Sequence, residues 1–241
     1  MTEQAAPNET NAHRSKRDYF KQLAISHLPE MRLLFRGGKL HKKDQWRNVV
    51  EHCLVQVAVA DSISDLLELP QEEKADLIKV AACHDWEKRL QKYPNDFTEE
   101  DKAQAKIFLK KVNPEQNLIH ATGPDFLEKF LKGESTFLER LQCYIDGIVL
   151  ESDIVEYDIR LDETKKRYLE LRDNSKLEAK LGGQFFEKER ELDNHTAQEI
   201  FEKLPHNIQE KIGEPKNIPN FIRQRIERRW LESGENQTTL L

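Results

Sequence analysis

From Trp46 onward the apolar positions recur at spacings of three and four, through Val49, Val50, Cys53, Leu54, Val57, Ala58, Ile63 and Leu66. That is helical periodicity sustained over about six turns. Leu69-Pro70 stops it, because proline lacks an N–H and restricts the residue before it. A second helix is predicted from QEEKADL, whose early acids suit the positive end of the helix dipole, through Leu77, Ile78, Val80, Ala81 and Ala82. YPNDFT reads as a loop, and Thr98 with Asp101 as a weak capping box for a helix that ends before Asn113-Pro114. A short helix is expected near Pro124 to Lys132. Beyond Gly133, FLERLQCYIDGIVL is an apolar-faced helix, and SDIVEYDIRLDETKKRYLEL extends or follows it as another. The character shifts after about Asp173: Leu181-Gly182-Gly183 breaks the pattern, and the three prolines of PHNIQEKIGEPKNIPN predict a tail of short helices. No run alternates strictly enough to predict a strand. The expected fold is all-α, with a disordered segment 1–13, a helical domain 14–173 and a C-terminal helical extension 174–241.

Composition adds limits to this picture. Charged residues make up 34% and hydrophobic residues 37%, with only 9 Gly and 9 Pro, a balance that suits helices with heavily charged outer faces. A formal charge of -6 argues against nucleic acid as a partner, since phosphate binding relies on an excess of Lys and Arg. The last helix, FIRQRIERRWLE, carries Arg223, Arg225, Arg228 and Arg229, which read as a solvated basic face. Cys53, Cys83 and Cys143 are too few and too widely spaced for a disulfide framework and read as buried thiols in a reducing compartment. The N-terminus lacks the apolar core of a signal peptide, and no apolar run approaches the roughly 18 residues that span a bilayer. A cytoplasmic location without a membrane partner is expected; homo-oligomerisation is left open.

Several polar residues stand on the apolar faces. On a helix, positions i, i+3, i+4 and i+7 share a face. His52 lies in line with Asn48, Val49, Val55, Gln56 and Val59; His84 with Leu77, Val80 and Ala81; Asp85 with Ile78, Ala81 and Ala82; Asp146 with Cys143, Val149 and Leu150. Two imidazoles and two carboxylates are thus directed at an apolar interior from three helices. Burying an ionised carboxylate alone costs several kcal/mol, so both need cations or strong donors. One divalent metal would satisfy them together, and the nitrogen and oxygen donors suit Mn, Fe, Co, Ni, Zn or Mg. Taken singly, each has a bland reading: a core histidine for His52, an acceptor for a helix cap or an Arg for Asp146.

The order His52, then His84-Asp85, then Asp146, each on its own helix, resembles the H...HD...D signature of the HD-domain superfamily of metal-dependent phosphohydrolases. WRNVVEHCLVQVAVA is similar to the family's first-ligand helix, IKVAACHDWEKR to its central helix, and YIDGIVLESDIVEYDIRLDETKKRY to its last-ligand helix with the positions that follow. The similarity covers roughly residues 45 to 170. It implies an all-α fold packed around one divalent ion, with His52, His84, Asp85 and Asp146 as ligands. The family often has a Gly before the Lys that follows its HD pair, whereas this chain reads Trp86-Glu87-Lys88, residues that could narrow the pocket or supply a base.

The chemistry this implies is attack of an activated water on a phosphoester of a small nucleotide or related phosphorylated metabolite. Asp85 is the first candidate to take the proton and Glu87 the second. Lys88, one turn beyond Asp85, and Arg47, about one turn before His52, are candidate phosphate-binding cations; surface positions are their alternative. His120, in NLIHATGPDFL, could line the pocket, donate to the leaving oxygen or cap a loop. It is the only histidine between the HD pair and the final Asp, which favours a mononuclear site over a dinuclear-iron oxygenase. A catalytically idle HD module acting as a binding protein is the other alternative. A zinc site using Cys53 or Cys83 is disfavoured, because neighbours at i+1 point about 100° away on a helix.

Overall fold

A computed structural model describes residues 15–35, 44–92, 98–170 and 184–238. The segment expected to be disordered, the YPNDFT loop up to Phe97 and the Leu181-Gly182-Gly183 break lie outside the described residues, as do the side chains of Arg47, Glu87 and Lys88. The order is α1 (Lys16–His27), a 3-10 turn (Pro29–Met31), α2 (Arg32–Phe35), α3 (Asp44–Leu66), α4 (Gln71–Lys92), α5 (Glu99–Val112) and α6 (Gln116–Ile119). There follow α7 (Gly123–Leu131), α8 (Phe137–Gly147), a hairpin of β1 (Val149–Leu150) and β2 (Asp153–Ile154), and α9 (Tyr157–Glu170). After the break come α10 (Phe185–Lys203), α11 (His206–Ile212), a second 3-10 turn (Pro215–Asn217) and α12 (Ile218–Thr238). The fold is all-α, as the periodicity predicts. No helix among the described residues is long and apolar enough to cross a membrane.

The centre of the fold is the pair α3 and α4, which turn back on each other through Leu67–Pro70. Ala58 and Ala60 on one helix and Ala81 and Ala82 on the other are at most 1% exposed, so small side chains line the buried faces and let the axes approach. α8 packs across both. Its start is fixed by a capping box: Thr136 Oγ1 accepts from the Glu139 N–H, and Glu139 Oε2 accepts from the Thr136 N–H at 2.8 Å. Its end is fixed by Gly147, where a Cβ would stand 2.7 Å from Tyr157 Cε2.

Three features depart from the expectations, the first being that the tail holds two long helices, α10 of 19 residues and α12 of 21, because its prolines fall between them or in the first turn of α12. FLERLQCYIDGIVL does not remain helical to Leu150; after Gly147 the chain enters a hairpin with Val149 opposite Ile154 and Leu150 opposite Asp153. Strands of two residues are too short for alternation to register in a sequence. The C-terminal arginines also differ among themselves. Arg223 is exposed and donates to Asn220 Oδ1, but Arg229 is half-buried and turns onto α3, with Nη1 at 3.1 Å from Asp61 Oδ2 and Nη2 at 2.8 Å from Asp65 Oδ2. Lys74 and His27 complete that cluster, with Lys74 Nζ 2.7 Å and His27 Nε2 3.0 Å from Asp61 Oδ1. Burial pushes the Asp61 carboxyl up, but hydrogen bonds from His27 and Lys74 outweigh it and hold its pKa at about 2. Ile200 on α10 and Ile222 and Ile226 on α12 belong to the same buried core as Val57 and Leu77, so the extension shares the interior of the preceding helices.

Candidate metal centre

The four sequence-predicted ligands arrive from α3 (His52), α4 (His84, Asp85) and α8 (Asp146), and they meet. His52 and His84 are 6% and 2% exposed, and their rings are tilted with centroids 5.6 Å apart. Both aim Nε2 at the same oxygen: Asp146 Oδ1 lies 3.3 Å from His52 Nε2 and 3.1 Å from His84 Nε2. Asp85 stands across from them, with Oδ1 3.4 Å from His84 Nε2 and Oδ2 3.7 Å from His52 Nε2. His52, His84 and Asp85 offer ligand atoms within 4.8 Å of one another, enough to hold a metal ion.

The tautomer of His52 follows from its other nitrogen. Nδ1 lies 3.3 Å from the Glu151 carbonyl oxygen, which can only accept, so Nδ1 carries the hydrogen. In the neutral ring Nε2 is then the lone-pair atom, the form that ligates a metal, with its orientation fixed by the carbonyl behind it. Glu151 supplies that carbonyl from the tip of the hairpin, at a φ of 55° that a non-glycine residue adopts at a cost. The hairpin that periodicity did not reveal therefore positions the first ligand. A lone pair directed at a carboxylate oxygen from 3.3 Å is repulsive unless a donor or a cation is shared between them, and nitrogen and oxygen ligands at these distances suit a divalent ion. On that chemistry the residues fit a metal that His52, His84 and Asp85 would hold, with Asp146 Oδ1 close to both imidazoles.

A cavity of about 180 Å³ opens beside Asp146, lined in part by Thr122, Tyr157, Arg160, Phe185 and Glu189. Burial pushes the Glu189 carboxyl up, the charge of Asp146 adds to the effect and Arg160 opposes it, leaving a pKa of about 7. Its Oε2 is buried with no hydrogen-bond partner among the described residues. Asp193, on the same helix, is also held well above the carboxylate range by burial and by Glu189. Sequence reasoning missed Arg160 and Glu189. Arg160 lies in the segment that resembles the last-ligand helix, but nothing local marks it as facing a cavity; Glu189 comes from the extension, which the resemblance does not reach.

The other candidates fall in different places. His120 is exposed at the C-terminal end of α6 and does not line this cavity. Trp86 is 1% exposed and packs edge-on against Phe108, 6.2 Å between ring centroids, as part of the core. Cys53 and Cys83 are fully buried, and burial pushes the Cys83 thiol up, which opposes the thiolate form a metal requires. Comparison of the chain with family models, with curated proteins and with solved structures found no match.

Proposed function

We propose that this protein is a mononuclear, metal-dependent phosphohydrolase of the HD type. The observation that supports it most is the convergence of two imidazole Nε2 atoms on a single carboxylate oxygen, Asp146 Oδ1, from separate helices. A divalent cation held there would supply Lewis-acid polarisation of a phosphoryl oxygen or would acidify a bound water toward neutrality. Asp85, whose oxygens lie 3.4 Å from His84 Nε2 and 3.7 Å from His52 Nε2, is the first candidate to accept a proton from an attacking water. Arg160 offers planar donors to phosphoryl oxygens at the cavity beside Asp146. Glu189, across the same cavity, is the group best placed to hold a proton for the leaving oxygen; its burial is the larger cause of its raised pKa and is independent of any charge on Asp146. Lys88 and Arg47 are further cations for phosphate, and Glu87 a further base.

The size of the cavity bears on the substrate. At about 180 Å³ it is smaller than the roughly 300–1,000 Å³ typical of drug-sized sites, which favours a small phosphorylated metabolite or the phosphoryl end of a nucleotide. The exposure of His120 supports a mononuclear site, because that imidazole stands apart from the cavity. The test is a metal-supplemented screen of phosphorylated metabolites with wild type beside Asp85→Ala. Release of phosphate that requires a divalent ion and falls by about two orders of magnitude or more in the variant is expected. Metal uptake without turnover of any phosphoester would instead favour a binding module.

A further inference from the structure

α3 brings one more polar side chain to the cluster. Gln56 follows His52 by four residues, so both project from the same face, and it is wholly buried. The amide atom placed as Nε2 stands 2.8 Å from His52 Nε2, 2.8 Å from Asp146 Oδ1 and 3.3 Å from His84 Nε2. Around an octahedral cation with bonds of about 2.1 Å, neighbouring ligand atoms lie about 3.0 Å apart. All three distances, and the 3.3 and 3.1 Å between the imidazoles and Asp146, fall near that edge length. The inner end of the amide stands where a corner of such a polyhedron would lie.

An NH2 group at that corner faces Asp146 Oδ1 and two ring nitrogens whose donor or acceptor roles depend on tautomer, while Oε1 at the outer end is buried with no hydrogen-bond partner among the described residues. A half-turn of the amide exchanges oxygen and nitrogen at nearly unchanged positions. One end is buried away from the cluster in either setting, so the choice depends on what the inner atom meets: hydrogen-bond acceptors, or a cation. We propose that Gln56 Oε1 is a fifth protein ligand of the ion held by His52, His84, Asp85 and Asp146, an assignment that rests on the metal reading above. The His-x-x-x-Gln spacing is the i, i+4 arrangement by which one helix places two donors on one metal. Adding a neutral, hard oxygen favours a six-coordinate ion such as Mn²⁺ over four-coordinate zinc and leaves one position for water or a substrate oxygen.

The experiment uses the full chain, stripped with chelator, and titrates Mn²⁺ in competition with a fluorescent chelator for wild type, Gln56→Ala and Gln56→Glu. One ion per chain is expected, with affinity about tenfold or more weaker in Gln56→Ala and about tenfold tighter in Gln56→Glu, whose carboxylate adds charge at the same corner. A hydrogen-bond donor role reverses the second sign, because a carboxylate donates nothing to His52 or Asp146. Weakening by Gln56→Glu, or unchanged affinity in both variants, overturns the assignment while leaving the metal site intact; failure of the wild type to bind removes both. The visible spectrum of Co²⁺-loaded wild type provides a check that needs no variant. Weak six-coordinate bands are expected, and intense tetrahedral bands overturn the assignment.

Discussion

Asp61 and Asp65, near the C-terminal end of α3, and Asp85 and Asp146, gathered by α4 and α8 around the first half of α3, are two acidic groups in one core. Around the first pair the chain supplies its own charges, with Lys74, His27 and Arg229 drawn in from α4, α1 and α12. Around Asp146 the neighbours include two ring nitrogens and an amide, groups that can offer lone pairs to a cation. The first arrangement ties four helices together. The second brings polar groups from three helices together in the same interior, an arrangement compatible with a metal site.

The two clusters should separate in experiment. The largest stability effect is expected from Asp61→Ala, which strands the Lys74 and Arg229 cations and the His27 ring and should cost about 3 kcal/mol in chemical denaturation while metal affinity stays unchanged. Next, Gly147→Ala forces a Cβ against the Tyr157 ring, which is held by its hydroxyl donating to the Glu189 carbonyl oxygen at 3.2 Å. A loss of about 2 kcal/mol is expected, together with weaker metal binding, because Asp146 is the adjacent residue. The Asp61 pKa of about 2 lies below its ordinary value of 3.8. The resulting stability is present above about pH 4 and lost as pH falls toward 2, amounting to about 1–2 kcal/mol after solvent screening. Wild type compared with Asp61→Asn in acid denaturation should isolate it. The smallest effect belongs to Glu151→Gly: the carbonyl that orients His52 remains, so metal affinity should hold and stability shift by no more than about 1 kcal/mol. Lower metal affinity there would assign the role to the Glu151 side chain.

What the sequence made legible follows from the range of each signal. Helical periodicity and breakers are local, and α3 ends close to Leu69-Pro70 just as α5 ends at Val112, before Asn113-Pro114. His52, His84, Asp85 and Asp146 could be read because polar groups interrupt apolar rows, a local anomaly repeated on three helices. The support around them could not. Glu151 acts through its backbone carbonyl, which no side-chain pattern encodes, and Gln56 at the edge of an apolar row resembles any buried amide. Glu189 and Arg229 act across gaps of 43 and 164 or more residues, to Asp146 and to Asp65 and Asp61, where only the packing of α10 and α12 decides who meets whom.

The central claim is tested most directly by measuring metal content. Wild type and His84→Ala, stripped with chelator, reloaded with Mn²⁺ or Zn²⁺ and desalted, are analysed for metal per chain beside Asp61→Ala as a folded control. About one ion per chain in wild type and the control, and close to none in His84→Ala, is the predicted result. Wild type that takes up no ion, or His84→Ala that takes up as much as wild type, would contradict it.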